Sequence, residues 1–334
     1  MARVAVDALG GDRAPEEVVA GALAAAADGI EVTLHGPAGL DTGGLPLVVA
    51  EEAIGMAEKP SEAVRAKPDS SLVSAVRAVA RGDADAALSA GNTGAVLAAG
   101  LLHLRRGPGV LRPAIGVPLP TRHGVSLLID GGANADCRPE HLAQFAVMGT
   151  VFCRELLDVP DPTVRLLSIG EEPEKGNQLT IEAHALLTGV QGIRFEGNAE
   201  ARDLLRGASD VVVSDGFTGN VALKLLEGGI KELLDLLREE ISATTTGKLG
   251  GALIQPAARR LRSRLDPDTY GGAYLLGLNG LAVIAHGNSG RDAIANATRL
   301  AARGAEHEVA RRLAEALPER ERSREAALGL QDAR

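Results

Sequence analysis

The 334-residue sequence has few aromatic side chains: four Phe, two Tyr and no Trp. Sites that recognise bases or sugars by stacking depend on aromatic rings, so single-stranded nucleic-acid platforms and lectin grooves are not expected. Acidic residues outnumber basic ones by 44 to 35, which gives a net charge of −9. Because nucleic-acid binding needs a basic face, we expect no nucleic-acid partner.

Cysteine and long apolar runs are also scarce. Cys137 and Cys153 are the two cysteines, so the sequence contains neither a disulfide framework nor zinc-site spacing, and we expect reduced thiols. The longest apolar run, Ala95–Leu104, is far below the roughly 20 residues that span a bilayer. An acid at Asp7 comes too early for a signal peptide. We therefore expect a cytoplasmic protein.

Short β-branched segments alternate with Ala- and Leu-rich helical segments along the chain. This order predicts βαβ units and an α/β protein whose largely parallel sheet is covered on both faces. We expect a single α/β unit over residues 1–317, with room for two intertwined subdomains, and a charged, frayed tail over 318–334. The predicted strands are Arg3–Val6, Val32–His35, Leu47–Ala50, Ala86–Ser89, Ala114–Val117, Val125–Ile129, Val164–Ile169, Ile193–Glu196, Val211–Ser214 and Leu281–Ala285. The predicted helices begin near Pro15 and continue with Ser71–Arg81, Thr93–Leu104, Pro139–Leu157, Leu179–Leu187, Glu200–Leu205, Gly219–Ser242, Leu249–Leu265 and Arg291–Leu317.

Six predicted strands run directly into loops of glycine and short polar residues. In open α/β sheets ligands bind at the carboxyl ends of the strands, where glycine exposes backbone N–H groups and a following helix favours an anion. Each loop alone is more typical of a turn or helix cap than of a ligand site. Together they predict one anion site at one sheet edge. The loops are Asp7–Asp12, Ser89–Gly94, Asp130–Asn134, Gly170–Asn177, Ser214–Asn220 and His286–Gly290.

These loops lack three common catalytic and cofactor motifs. No glycine loop ends in Gly-Lys-Ser/Thr, and Gly107-Pro108-Gly109 is followed by Arg112 where a dinucleotide fingerprint has its third glycine. Ala87 replaces the first glycine of a nucleophile elbow around Ser89. A P-loop, a nicotinamide site and a serine nucleophile are thus unsupported. His286 is the histidine of most interest, as a catalytic or an equally plausible structural residue.

Several segments, taken in order, resemble one family, the bacterial acyl-acyl carrier protein:phosphate acyltransferases of phospholipid synthesis. Two departures are Leu9, where the family pattern has methionine, and Asn288, where it has serine. The matching segments span residues 3 to about 290: Val4–Asp12 with Ala14-Pro15, Ser89–Ala95, Asp130–Asn134 with Asp136–His141, Ile169–Glu172 with Lys175–Asn177, Gly197–Asp203, Ser214–Lys224, Tyr270–Gly272 with Leu275–Gly280, and Ala285–Ser289.

The resemblance implies transfer of a long-chain acyl group from acyl carrier protein to inorganic phosphate. A membrane acyltransferase would then pass the acyl group of the acyl phosphate to glycerol 3-phosphate. The implied fold is a Rossmann-like α/β/α sandwich similar to phosphotransacetylases and isocitrate/isopropylmalate dehydrogenases, usually a homodimer. Phosphate is itself the nucleophile, so the site needs to bind an anion, stabilise an oxyanion and assist a thiolate, with no cofactor and no metal.

On this resemblance, four residues are predicted to be catalytic. Lys175 or Lys224 would neutralise phosphate, His286 would protonate the leaving sulfur or hold phosphate, and Asp215 would orient the cations. The predicted substrate-binding residues are Gly10, Gly11, Asn92, Thr93, Asp130, Asn134, Asn177, Asn198, Thr218, Asn220, Asn288 and Ser289. Each of these side chains is, taken alone, also typical of a turn, a cap or a solvated surface.

Three other functions compete with this interpretation. A phosphotransacetylase would perform the same reaction from acyl-coenzyme A. A decarboxylating dehydrogenase would need an aspartate cluster for a metal and a nicotinamide site, which the sequence does not reveal. A non-enzymatic scaffold that binds lipid carriers is the third alternative.

The segment Lys248–Leu265 carries five basic residues and no acid, within a predicted helical hairpin over residues 219–268. Leu253, Ile254 and later apolar residues form a stripe, which the basic residues flank or oppose. One interpretation is a packed helix whose arginines favour its negative end. The other is a protruding element that contacts acidic acyl carrier protein, an anionic membrane surface, or both. The predicted contact residues are Leu253, Ile254, Arg259, Arg260, Arg262 and Arg264.

Overall fold

The computed structural model describes residues 1–122 and 124–317, and their eleven strands form one mixed sheet. The strands are β1 (Arg3–Asp7), β2 (Glu31–Gly36), β3 (Leu47–Val49), β4 (Ala86–Ser89), β5 (Ala114–Pro120), β6 (Val125–Ile129), β7 (Thr163–Ser168), β8 (Arg194–Glu200), β9 (Val211–Val213), β10 (Ala273–Leu276) and β11 (Leu281–Ile284). Their order across the sheet is β3-β2-β1-β4-β11-β10-β5-β6-β9-β7-β8. The tail 318–334 lies outside the described residues.

Most neighbouring strands are parallel, as predicted, but three pairs in the middle of the sheet are antiparallel. β10 runs against both β11 and β5, and β5 runs against β6. As a result β1–β5 and β11 point one way, whereas β6–β10 point the other way. The carboxyl ends of the two parallel sets therefore lie at opposite edges of the sheet.

Helices cover both faces because the strands alternate their side chains between two apolar clusters. In β11, for example, Leu281 and Val283 belong to one cluster and Ala282 and Ile284 to the other. The first cluster packs under α1, α5, α6, α9 and α10, and the second under α2, α3, α4 and α7. The helices are α1 (Glu16–Ala26), α2 (Pro60–Ala66), α3 (Ser71–Arg81), α4 (Thr93–His103), α5 (Pro139–Leu156), α6 (Gln178–Leu187), α7 (Gly216–Ser242), α8 (Thr245–Leu265), α9 (Arg291–Glu306) and α10 (Val309–Ala316).

Several predicted elements differ from the observed ones. The prediction omitted α2 and β10, and it treated Arg291–Leu317 as one helix. The chain divides there because Glu308 adopts the left-handed conformation, with φ of 50°, between α9 and α10. The helix predicted at Glu200–Leu205 is a 3₁₀ turn, Ala201–Asp203, after β8.

Helices α7 and α8 form the predicted helical hairpin, residues 219–268. Ala243 and Thr244 connect them, and the Thr244 hydroxyl caps α8 by accepting from the Gly247 N–H at 2.9 Å. Leu223 is the last buried residue of α7, and no residue of α8 is buried. The distal part, residues 228–265, thus gains no support from the core.

Candidate functional site

The strand directions divide the six polar loops into two groups at opposite edges of the sheet. The first loop group follows β1, β4 and β11, and the second loop group follows β6, β7 and β9. The prediction that all six share one edge is therefore wrong. It assumed one strand direction throughout, whereas the antiparallel strands β5 and β10 reverse the direction in mid-sheet.

The first loop group is closely packed on itself. The hydroxyl of Ser89 donates to the buried carboxylate of Asp7 at 2.7 Å, and Asp12 N–H donates to Gly287 O at 2.7 Å. Burial raises the pKa of Asp7. A Cβ on Gly10 would lie 2.5 Å from an Asp7 carboxylate oxygen, so a side chain there would displace the loop. Gly11, in the same loop, has a positive φ of 105°, a backbone conformation that favours glycine.

The remaining predicted binding residues of this group have mainly local roles. Asn92 caps α4 by accepting from Ala95 N–H, and its amide donates to Met56 O and Glu58 O, both at 3.1 Å. Its hydrogen-bonding atoms are therefore already engaged. Thr93 is exposed in the first turn of α4, and Asn288 is exposed. Ser289 is buried, and its hydroxyl has no partner within residues 1–122 and 124–317.

His286 lies at the same edge between two carboxylates. Its Nε2 is 3.2 Å from Glu227 Oε1 of α7, and its Nδ1 is 3.2 Å from Asp268 Oδ1 in the 3₁₀ helix Pro267–Tyr270. These two partners raise the pKa of His286 to about 9. Lys224 pairs with the other oxygen of Glu227 at 2.8 Å. Two of the predicted catalytic residues, His286 and Lys224, thus belong to one ion-pair cluster.

In the second loop group, Asp130 organises its own loop. Its buried carboxylate accepts from the N–H groups of Ile115, Gly132, Ala133 and Asn134 and from the Asn134 side-chain amide, at 2.8–3.0 Å. Asn134 also donates to Pro113 O at 2.7 Å. Both predicted residues therefore use these groups within the protein, and they shape the loop that other groups line.

Asn198 is likewise buried and engaged. Its amide donates to Glu172 O at 2.8 Å, and its oxygen lies 2.9 Å from His184 Nδ1. These bonds hold the loop that carries Lys175. The Lys175 side chain is exposed, while its carbonyl accepts from the Ser168 hydroxyl at 2.9 Å.

A cavity of about 330 Å³ opens in the second loop group. It brings together three of the predicted residues, Asn177, Asp215 and Thr218, from two different loops. Asn177 caps α6 by accepting from Thr180 N–H, and Asp215 caps α7 by accepting from Thr218 N–H, both at 2.9 Å. Sequence reasoning did not assign a site role to the other lining residues, Ala135, Asp136, Cys137, Leu179 and Phe217. Asn220 is exposed on α7, two residues after Thr218.

The N-terminal residues of α6 and α7 line this cavity, and α5 begins two residues after the lining residue Cys137. Free N–H groups and the positive ends of helix dipoles favour an anion there. Asp136 and Asp215 bring negative charge to the same lining. An anion that itself carries a hydroxyl, such as hydrogen phosphate, satisfies both features, since its hydroxyl can donate to a carboxylate. Burial raises the pKa of Cys137 to about 11, so its thiol stays protonated at neutral pH.

The helical hairpin contacts the sheet edge near the C-terminal end of α8. The Arg264 guanidinium donates to the carbonyls of Thr121 and Arg122 in the β5–β6 turn. Leu253 is 77% exposed and Ile254 51% exposed, and Arg259, Arg260 and Arg262 are exposed as well. The exposure of Leu253 and Ile254 favours the protruding interpretation of α8, in which no described residue is fully buried and Leu265 at the end is half-buried.

No helix among the described residues is long and apolar enough to cross a membrane. Within the same residues, no cluster of three or more His, Cys, Asp or Glu side chains is arranged to hold a metal ion.

Sequence similarity covers nearly the whole chain. A family model described as "Fatty acid synthesis protein" matches residues 2–312. A phosphate acyltransferase from Synechococcus sp. (strain JA-3-3Ab) is 47% identical over 324 residues, covering 93% of this chain and 88% of the relative. One from Thermosynechococcus vestitus is also 47% identical, covering 93% of this chain and 94% of the relative.

Structural similarity confirms the predicted fold class. A phosphotransacetylase from Streptococcus pyogenes superposes with a TM-score of 0.62 and 19% identity, covering 91% of this chain and 94% of that one. At this identity the likeness concerns the fold alone.

Proposed function

The chain belongs to the phosphate acyltransferase family, and we propose that it transfers a fatty acyl group from acyl carrier protein to inorganic phosphate in the cavity of the second loop group. The observation that carries the site assignment is a cavity lined by the N-terminal residues of α6 and α7, Asn177, Asp215 and Thr218 among them, and by the loop that leads into α5. The product is an acyl phosphate for phospholipid synthesis.

The reaction forms a bond between a phosphate oxygen and the thioester carbon. The carbonyl π electrons move to its oxygen, and collapse of this oxyanion expels the thiolate, which takes up a proton. Orientation of phosphate against the carbonyl and stabilisation of the oxyanion are the tasks of the protein. The helix N-termini and the Asn177 amide suit the phosphate and oxyanion charges, and Asp215 suits a phosphate hydroxyl. Lys175 supplies a cation two residues before Asn177.

His286 and Lys224 receive no role in the chemical step. Glu227, their common partner, lies 11 residues beyond Gly216 on α7, or about 16 Å at 1.5 Å per residue. Of the four residues first predicted to be catalytic, Lys175 and Asp215 remain our candidates.

The helical hairpin is our candidate for the carrier and membrane contacts. Five basic residues on an exposed helix suit acidic acyl carrier protein and anionic lipid, and Leu253 and Ile254 suit shallow insertion into a bilayer surface. Peripheral, reversible membrane contact would release acyl phosphate near the membrane glycerol-3-phosphate acyltransferase that consumes it.

A homodimer is the oligomeric state we propose. Phe217, Val221 and Leu225 recur every four residues on α7 and are 66%, 53% and 72% exposed. Such a stripe on one helical face is typical of a helix that another subunit covers. Leu225→Glu should shift the molar mass measured by light scattering from dimer to monomer, whereas Leu102→Glu on α4 serves as the control. Unchanged mass in the Leu225 variant would contradict the proposed contact.

The activity is tested by offering phosphate with acyl-acyl carrier protein or with acyl-coenzyme A and trapping acyl phosphate with hydroxylamine. Faster product formation from the carrier protein supports the proposal, and a preference for coenzyme A indicates a phosphotransacetylase. No product from either donor favours a binding scaffold. Thr218→Val should raise the KM for phosphate, because it removes one hydroxyl from the cavity, whereas Thr33→Val in β2 should not.

The contact role of the helical hairpin needs charge reversal and apolar removal as separate variants. Arg259→Glu with Arg262→Glu should raise the KM for acyl carrier protein about tenfold at low salt, with a smaller difference at high salt. Leu253→Ser with Ile254→Ser should reduce sedimentation with anionic vesicles. Arg65→Glu, at an exposed position of α2, is the charge-reversal control. If both double variants retain both interactions, the hairpin has neither role.

A further inference from the structure

The helical hairpin meets the body of the protein at few points. From residue 228 to residue 265 no side chain is buried. Arg264 forms one attachment, through the carbonyls of Thr121 and Arg122. Near that attachment, Leu261 and Leu265 lie beside Pro120 and Leu205 of the body. The direction in which the hairpin projects therefore depends on a small number of contacts at its base.

At that base, His286 contacts both legs of the hairpin, where the first leg is α7 and the second leg is α8 with the 3₁₀ helix that follows it. Glu227 lies on α7, four residues after the last buried side chain of that helix, and Asp268 lies three residues after the end of α8. The histidine itself follows β11, a strand in the interior of the sheet, so one ring connects both legs to the sheet. Asn296 of α9 steadies the second leg by donating to Asp268 O at 3.1 Å.

The two contacts require a charged ring. A neutral imidazole has one N–H and could donate to only one carboxylate, whereas the imidazolium donates to both. The groups facing the ring are Glu227 with its partner Lys224 from α7 and Asp268 from the 3₁₀ helix, and the two carboxylates hold the pKa of His286 at about 9. Hydrogen bonds from His286 and Lys224 lower the pKa of Glu227 despite its burial. At neutral pH the bridge is therefore carboxylate–imidazolium–carboxylate.

We propose that His286 is a positioning residue, which fixes the direction of the helical hairpin by holding Glu227 and Asp268 on one ring. We call this arrangement of His286, Glu227 and Asp268 the clamp. Its consequence for carrier binding rests on the proposed function of the hairpin, but the clamp itself does not. Replacing the ring frees both legs together, whereas removing its charge or changing one carboxylate frees one.

Spin labels can measure the hairpin direction without any assay of activity. Labels at Thr246→Cys, at the exposed start of α8, and Glu306→Cys, on the body, would be placed in a Cys137→Ser background, with Cys153 buried and unlabelled. In the otherwise unchanged protein, double electron–electron resonance should give a narrow distribution of distances between the two labels. His286→Gln should broaden it about twofold, and His286→Arg, which retains charge and several donors, should keep it narrow.

A second set of variants tests the proposed bridge. Glu227→Gln should broaden the distribution less than His286→Gln does, and adding Glu227→Gln to His286→Gln should change little, because the histidine variant has already lost the Glu227 contact. His103→Gln, at the end of α4, is the matched control and should leave the distribution unchanged. An unchanged distribution in both His286→Gln and Glu227→Gln would overturn the proposal, and Glu227→Gln decides it if the histidine variant does not fold.

Kinetics then separate a positioning role from a catalytic one. His286→Gln should raise the KM for acyl carrier protein several-fold with little change in kcat, and His286→Arg should restore it. A loss of kcat without broadening would show instead that His286 acts in the chemical step. If the protein proves inactive on every donor, the distance measurement still decides the clamp.

Discussion

The contact between α7 and the Asp130 loop provides a sharp test of how the candidate site is built. A Cβ on Gly219 would lie 2.0 Å from the Asp130 carbonyl oxygen, whereas ordinary contacts begin at 3.4 Å. Gly219→Ala must therefore move α7 or the loop by about 1 Å or more, because close-packed interiors offer no free space. Such overpacking typically costs about 1–3 kcal/mol of unfolding free energy. A shift of this size beside the reacting groups can lower the rate by about 100-fold.

The same helix supplies a matched control. Gly228 has no atom within 4 Å of an added Cβ, so Gly228→Ala should be neutral or stabilise by about 0.5–1 kcal/mol through helix propensity. Urea unfolding and the rate of acyl phosphate formation would be measured for both variants. If Gly219→Ala is as stable and as active as Gly228→Ala, the described contact between α7 and the site loop is wrong.

Three further predictions follow from buried or charged groups. Asp130→Asn should destabilise the protein by about 1–3 kcal/mol, measured by urea unfolding, because the amide nitrogen that replaces one carboxylate oxygen cannot accept from the N–H groups facing it; an unchanged unfolding free energy would refute this role. Cys137 should react slowly with iodoacetamide at neutral pH and about tenfold faster per pH unit up to a pKa of about 11, with phosphate protecting it and buried Cys153 unreactive; rapid alkylation at pH 7 would contradict the environment described. His286 should contribute fully to the free energy of unfolding below pH 6.5. This contribution should be lost as pH rises through about 9, because the pKa of His286 is raised in the folded state. That rise corresponds to about 3 kcal/mol, which solvent around a 31% exposed side chain reduces to about 1–2 kcal/mol, and equal pH dependence in His286→Gln would refute it.

Local sequence patterns predicted most helices and strands because burial of one face gives apolar residues a regular spacing along the chain. The five-residue apolar segment Val125–Ile129 and the amphipathic segment Pro139–Leu157 match β6 and α5 closely. β10 was not predicted because Ala273–Leu276 is only four residues long and lies between the pair Gly271-Gly272 and Gly277. Its omission concealed the reversal of strand direction, which is a property of pairing between distant strands. The grouping of the polar loops could therefore not follow from their composition.

The candidate site shows the same limit at the level of single side chains. Asn134, Asn177 and Asn198 all follow or end predicted strands and are equivalent by residue type. In the structure, Asn134 and Asn198 donate to backbone carbonyls, whereas Asn177 lines the cavity and caps α6. Only the tertiary partners distinguish them. Cys137 illustrates the converse, since a thiol with no sequence partner lines the cavity because Asp130 shapes the loop before it.

One helix, α7, connects the candidate cavity to the proposed carrier-binding surface of the hairpin. α7 begins at the cavity with Asp215 as its cap, meets His286 through Glu227 about 16 Å further on, and continues into the helical hairpin. A helix held at both points transmits displacement along its axis better than a flexible loop would. If this rod connects carrier docking to the site, Gly219→Ala and His286→Gln perturb opposite ends of one element. Their combined effect on the rate with acyl carrier protein should then differ from the product of the single effects, whereas independent sites would give simple multiplication.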